Sequence, residues 1–274
     1  MKCQVLRGQN RAQQSCPADG PRTLPVLRIG CVYHLGTLNL TERCTSGQSL
    51  EGNAVSVSTV PHAWQQIARL GGRPLLELKS ADGQFVDVLK LLESECLRDD
   101  LQCWAESQGL LVVTQRFRAW FYDSEVEDWR YLVLDTREEA WAEVDGSYLL
   151  GEFEEPAKAP APPGHTCIEP LNQWVGTRAL EEAVGRKGLA SVDATDMALL
   201  VFVDRRCPQI DGLWWLEAYE PIALSAPRGG ILSSRLERWA VTAASLDLVA
   251  DEVVEPVLLD VDVRPDNCKE HRQS

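Results

Sequence analysis

Three short stretches of this sequence hold side chains whose types and spacing could do chemistry. The first is Tyr33-His34-Leu35-Gly36-Thr37. A histidine beside a glycine offers an imidazole hydrogen bond next to accessible backbone N–H and C=O groups, which suits gripping a planar amide. The same residues also fit a solvent-facing histidine at a strand end. The second is Ser56-Val57-Ser58-Thr59, just ahead of Pro61. Small hydroxyls at a strand end, backed by a helix N-terminus, can hold a ribose or phosphate. An ordinary helix cap reads equally well. The third runs from Asp211 through Trp214, Trp215, Glu217 and Glu220 to Ser225-Ala226-Pro227-Arg228-Gly229-Gly230. Adjacent tryptophans place one ring on each side of a strand, so one can pack in the core while the other walls a cleft. Glu217 or Glu220 would then stand at the strand exit, and Arg228 could present a guanidinium to phosphate. A core strand followed by a polar loop is the plainer alternative.

Several other chemistries lack their signatures. There is no GxxxxGK[ST] phosphate loop, no GxGxxG after a strand, no HExxH zinc helix and no GxSxG elbow. Cys268 and His271 have a C-x-x-H spacing but no second close pair, so no metal is expected. The nine cysteines are scattered and read as buried thiols rather than bridges. A Cys–His nucleophile pair remains a third class of reading, with no cysteine singled out.

The elements that must position these residues can be read from pattern. Residues 1–25 are polar and read as a flexible arm, with structure starting in the β-prone run Val26 to Tyr33. Val55 to Ser58 alternates as a half-buried strand does, and Pro61 opens a helix that Gly71-Gly72 can end. Residues 74–78 and 85–88 flank Asp82-Gly83 and read as a β-hairpin. Residues 89–108 have helical spacing. Strands are expected at 110–114, 117–122 and 129–134, then a short helix opened by the capping box Thr136-Arg137-Glu138-Glu139. Leu171, Trp174 and Val175 suggest a helix, with a continuation or second helix through Val184. A further helix is expected from about Ala194 to Asp204, and an edge strand within 246–264. The mixing is irregular, with no βαβ alternation. The expected class is α+β, a split and mostly antiparallel sheet with flanking helices.

Composition narrows the setting. The chain has 274 residues, 45% apolar and 25% charged, as globular proteins do. Its net charge of −14 makes nucleic acid and anionic membranes unfavourable partners overall. No apolar run reaches membrane-spanning length and no signal-peptide core is evident, so a cytoplasmic location is expected. Residues 123–155 carry 12 acids against two arginines. That acidic segment could steer a basic protein partner. Residues 156–164, PAKAPAPPG, have four prolines in nine positions and read as a linker or long surface crossing.

In their order, these segments resemble the ADP-ribosyltransferase superfamily of NAD-consuming proteins, in the bacterial toxin-like branch that includes RES-type NAD-degrading toxins. The likeness rests on Tyr33-His34-Leu35-Gly36, on Val55 to Thr59 with its following helix, on Phe85-Val86-Asp87-Val88, and on Ile210 to Trp215 with Ser225 to Gly229. It covers about 26–90 and 193–235. His-Leu-Gly stands where related polymerases have His-Gly, and no Glu-x-Glu stands in the late segment 210–230. The resemblance implies a core whose N-terminal half is 26–92 and whose C-terminal half is 165–264. An acidic insertion at 93–155 and a tail at 265–274 complete the chain. It further implies that NAD is the substrate, bound with its nicotinamide near His34 and Gly36. Tyr33, Ser56, Ser58, Trp214, Trp215 and Arg228 would contact it, and His34, Glu217, Glu220 or Ser225 would serve the reaction. Transfer to a protein acceptor or hydrolysis by water, in a toxin or effector, would be the activity. The alternative is a non-catalytic acidic interaction or immunity protein.

Overall fold

The computed structural model describes residues 20–38, 53–67, 71–123, 128–142, 168–185, 191–215, 226–246 and 257–262. The chain divides into two compact units, one formed by residues 1–111 with 176–274 and the other by 112–175. The class is α+β with mostly antiparallel sheets.

The first unit is organised around strands β1 (Thr23–Arg28), β2 (Cys31–Leu35), β3 (Ala54–Val57), β4 (Leu75–Lys79) and β5 (Gln84–Asp87). It also holds β9 (Gly212–Trp215), β10 (Arg228–Leu232), β11 (Ala240–Ala244) and β12 (Val257–Asp262). A six-stranded sheet runs β12-β1-β5-β9-β10-β3, and a three-stranded sheet runs β11-β4-β2. Among the described residues of the larger sheet, only β5 and β9 pair in parallel. The sheets touch where Tyr33 and Ser58 exchange backbone hydrogen bonds of 2.8 and 2.9 Å.

The split arises at a shared corner. β1 pairs with β5 and β2 with β4, so two long antiparallel segments bend together from one sheet into the other. Hydrogen bonds from Ile29 N to Gly83 O and from Ser80 N to Gly30 O carry the ladder round the bend. A Cβ at Gly83 would overlap the Ile29 carbonyl and the Trp239 ring, so the corner needs glycine. The expected hairpin at Asp82-Gly83 is therefore corrected. Its flanking strands belong to different sheets, because each already has a partner from the other bent segment.

Alternation sets the layers. Leu27, Val55, Phe85, Trp214 and Ile231 of the large sheet meet Val32 and Leu78 of the small one in a core between the sheets. Helices α1 (Pro61–Ile67), α2 (Val88–Glu93), α3 (Glu95–Ser107), α4 (Arg178–Val184) and α5 (Ser191–Arg206) complete the unit. Helices α2 and α5 contact β9, and α5 also packs on α3 and α4. From Met197 to Val203 every residue of α5 is buried, as a helix covered on several sides requires. Trp104 of α3 meets Phe202 of α5 edge to face at 4.9 Å. The chain is already in the sheet at Thr23 rather than Val26, because Leu24 and Pro25 pair with β12.

The second unit holds β6 (Leu111–Asp123), β7 (Asp128–Leu134) and β8 (Ile168–Gly176) in the order β7-β6-β8. Leu171, Trp174 and Val175 lie in β8, not in a helix, because the segment completes this sheet. Trp120 Nε1 donates to Glu169 at 3.2 Å and Arg116 to Gln173 at 3.3 Å across β6 and β8. The Thr136 capping box forms in both directions, with Glu139 N donating to Thr136 Oγ1 and Thr136 N to Glu139 Oε2. The insertion expected at 93–155 is displaced: α3 clusters with the first unit, through its buried face against α5, and β8 clusters with the second.

No helix among the described residues is long and apolar enough to cross a membrane. Cys31, Cys96 and Cys207 are thiols, but Cys103 is disulfide-bonded, which corrects the expectation of thiols throughout. Cysteine spacing holds no information on connectivity, so the bridge was not legible.

Candidate functional site

Strand β10 is the hub of the site. It lies between β9 and β3, in register with Arg228 opposite Trp215, Gly229 opposite both Trp214 and Val57, and Gly230 opposite Ser56. The glycines are sterically required. A Cβ at Gly229 would overlap the Trp214 ring, and one at Gly212 would overlap the Gly230 carbonyl. The density of Trp, Arg and Gly in this part of the sequence thus has a packing cause.

On the face of β9 toward the small sheet, Trp214 is 1% exposed and packs edge to face on Phe85 at 5.4 Å. It is a core residue, with no open face on which the expected ligand could stack. Trp215 faces α5. Its Nε1 donates to Asp196 Oδ2 at 2.8 Å, and the Arg228 guanidinium lies over its ring at 4.6 Å. Asp193, Asp196, Met197, Trp215 and Arg228 line a pocket of about 290 Å³, its open mouth included. Burial pushes the Asp196 carboxyl up to about 6. The Trp215 hydrogen bond opposes that shift, Asp193 adds to it and Arg228 opposes it.

His34 is 5% exposed, and both its ring nitrogens meet carbonyl oxygens, Nδ1 at 2.7 Å from Ser56 O and Nε2 at 3.1 Å from Thr37 O. It ties β2 to β3 and to its own following loop. Gly36 stands beside it with φ of +123°, a conformation glycine adopts readily, and its N–H donates to Pro74 O at 2.9 Å. Ser58 is fully buried. Its Oγ donates to Pro227 O at 2.6 Å and accepts from Val60 N at 3.1 Å. It thereby fixes the residue preceding Arg228 while capping the approach to α1. The Tyr33 side chain leaves β2 on the opposite face from His34, and its hydroxyl donates to Glu77 at 3.4 Å. Burial raises the Tyr33 phenol above its ordinary value.

The structure therefore brings His34 to Ser56, Ser58 to the Arg228 segment, and Arg228 to Trp215. It separates Tyr33 and Trp214 from the pocket. Glu217, Glu220 and Ser225 lie outside the described residues, as does the Cys268–His271 pair. Sequence reasoning missed Asp193, Asp196 and Met197. The available signal was Asp196 standing three residues after Asp193, on one helical face, at the head of an apolar run.

Asp211 belongs to the frame. Only 2% exposed, it accepts from Gln84 N at 3.0 Å, while its own N–H donates to Gln84 O and its C=O accepts from Leu232 N. It joins β5, β9 and β10, and burial raises its carboxyl above the ordinary range. Burial also raises the thiols of Cys31, and of Cys207 to about 12, which disfavours either as a nucleophile. Among the described residues no cluster of His, Cys, Asp and Glu is arranged to hold a metal ion.

No protein-family model, no curated protein and no solved structure matches this chain.

Proposed function

We propose that this protein consumes NAD, breaking the bond between nicotinamide and ribose and passing the ADP-ribosyl group to water or to a protein acceptor. The observation that carries the reading is convergence. Four segments distant in sequence, 33–36, 56–58, 214–215 and 227–230, adjoin through β2, β3, β10 and β9. The bond breaks with its electron pair leaving on the nicotinamide nitrogen, and an acceptor oxygen then bonds to the ribose carbon. Trp215 would flank a ring, and Arg228 would hold the pyrophosphate. His34 and Ser58 would act by fixing the loops at the mouth, since their polar atoms meet backbone groups. The chemistry would proceed in the cytoplasm, as part of a toxin or effector. The Cys103 disulfide is the feature that pulls toward an oxidising compartment.

The test is incubation of purified protein with NAD at about 1 mM, near the upper end of ordinary substrate constants, with released nicotinamide measured by chromatography. Nicotinamide release that falls at least about tenfold in Arg228→Ala supports the proposal, tenfold being a loss of about 1.4 kcal/mol in the barrier difference. Absence of both NAD binding and release overturns it. The acidic segment 123–155 would then favour an interaction protein with a basic partner, read out by its salt-sensitive capture of that partner.

A further inference from the structure

We infer that Cys103 of helix α3 is bridged to Cys16, a disulfide that staples the chain entering β1 to the layer of α3 and α5. The bridge stands whether or not the chain consumes NAD.

Elimination narrows the partner. The chain has nine cysteines; Cys103 is disulfide-bonded, while Cys31, Cys96 and Cys207 are thiols. The partner is therefore Cys3, Cys16, Cys44, Cys167 or Cys268, all of which lie outside the described residues. A bridge holds its two Cα atoms about 4.4–6.8 Å apart, so the described residues next to each candidate decide which can reach. Cys167 cannot. The hydrogen bonds from Arg116 to Gln173 and from Trp120 to Glu169 set β8 antiparallel to β6, so residue 167 stands opposite residue 122. β6 starts beside the end of α3, where Leu110 N donates to Ala105 O. The strand from residue 111 to residue 122 then carries Cys167 about 35 Å away. Cys44 follows Leu38, which packs in the core between the two sheets. The large sheet separates that core from α5 and α3, because Trp214 faces the core and Trp215, beside it on β9, faces α5.

The path of the chain selects Cys16 from the rest. Asp100, Cys103 and Trp104 share one face of α3 by their spacing of three and four residues. Burial raises the Asp100 carboxyl, Asp99 adds to that shift and Arg22 opposes it, so Arg22 stands within electrostatic reach of Asp100. Gly20 is buried against Phe202, and a Cβ there would lie 2.6 Å from the ring. Phe202 in turn meets Trp104. From Arg22 back to Gly20 the chain thus follows α3 from the turn of Asp100 toward that of Trp104, and Cys103 lies on that line. Cys16 is four residues before Gly20, a reach of up to about 14 Å. Cys268 is six residues past Asp262, the partner of Thr23, and Cys3 is seventeen before Gly20. Closure entropy grows with the length of the free segment, which favours the shortest tether.

The bridge closes a loop from residue 16 to residue 103 that contains β1 to β5 and the corner at Gly83. It forms by exchange with a disulfide oxidant such as glutathione disulfide. One thiolate opens the oxidant's S–S bond and releases its first thiol. The other displaces the second thiol as the Cys16–Cys103 bond forms. The two cysteines lose two electrons and two protons, and the oxidant is reduced to two thiols.

The experiment holds purified full-length wild type in a glutathione buffer poised for oxidation, alkylates the free thiols, and maps disulfide-linked peptides by mass spectrometry without reduction. The expected result is a peptide pair joining Cys16 to Cys103. A pair joining Cys103 to Cys3, Cys44, Cys167 or Cys268, or an alkylated Cys103, overturns the inference. Thermal unfolding adds a second readout. Reductant should lower the wild-type midpoint by about 5–15 °C, as opening so long a loop does in a chain of this size. Cys16→Ala should start near that lower midpoint in the oxidising buffer. A Cys16→Ala midpoint that matches oxidised wild type and still falls on reduction overturns the inference as well.

Discussion

Trp214 and Trp215 leave β9 on opposite faces, and their surroundings differ in chemistry rather than in depth. Trp214 meets Phe85, Gly229 and the apolar core between the sheets, and its indole N–H finds no acceptor among the described residues. Trp215 is only 5% exposed, yet its N–H is held by a carboxylate and its face by a guanidinium. A buried donor left unpaired costs stability and persists where packing outweighs it. A carboxylate kept half-buried beside a second carboxylate also costs stability, with no packing gain to offset it. The first arrangement builds the fold. The second sets charged groups at the edge of an open pocket.

The comparison breaks most visibly by truncation. Trp214→Ala should lose about 3–5 kcal/mol in urea unfolding, the range for deleting a large buried aromatic. Trp215→Ala should lose a similar amount, because it is buried to nearly the same depth and its loss also strips Asp196 of the indole donor. A loss of under about 1 kcal/mol at either position would contradict the burial of that ring.

A pH-dependent stability difference sharpens it. The Asp196 carboxyl is raised in the folded state, so the folded chain keeps its proton longer than the unfolded chain does. Its penalty is absent below the ordinary carboxylate range near pH 4, grows between there and pH 6, and is complete above about 6. Asp196→Asn should therefore be more stable than wild type at pH 7.5, by about 1–3 kcal/mol, and no more stable at pH 4. Thermal unfolding at the two pH values checks this. A variant less stable at both would make Asp196 a structural group.

Smaller effects follow from the supporting residues. Ser58→Ala should cost about 1–2 kcal/mol through the buried Pro227 carbonyl and Val60 N–H it leaves unpaired. It should also weaken NAD half-saturation more than turnover, because Arg228 follows Pro227. Smallest of all, Arg178→Ala should leave the unfolding midpoint unchanged. Its ion pair with Glu182 is exposed on both sides and lies on α4, away from the pocket.

Legibility in the sequence followed the range of the forces involved. Local signals were sufficient for α1, for the Thr136 capping box and for the two faces of β9, since periodicity and capping act within a few residues. The corner at Gly83 was misread as a hairpin because Asp-Gly specifies a bend but not which strand each arm will pair with. Only the partner segment at Ile29-Gly30 decides that. β8 was misread as a helix because its apolar spacing is ambiguous until β6 supplies an edge. In the site, Trp215 and Arg228 were each legible by residue type, but not their contact, which the register of β9 and β10 decides. Asp196 was not, because its role depends on a helix–strand contact between residues 19 apart.

The most direct measurement of the account is an NAD titration of intrinsic fluorescence in wild type, Trp214→Phe and Trp215→Phe. The account predicts quenching in wild type, its retention in Trp214→Phe and its loss in Trp215→Phe. Quenching that survives in Trp215→Phe but disappears in Trp214→Phe, or no quenching in any of the three, would contradict it.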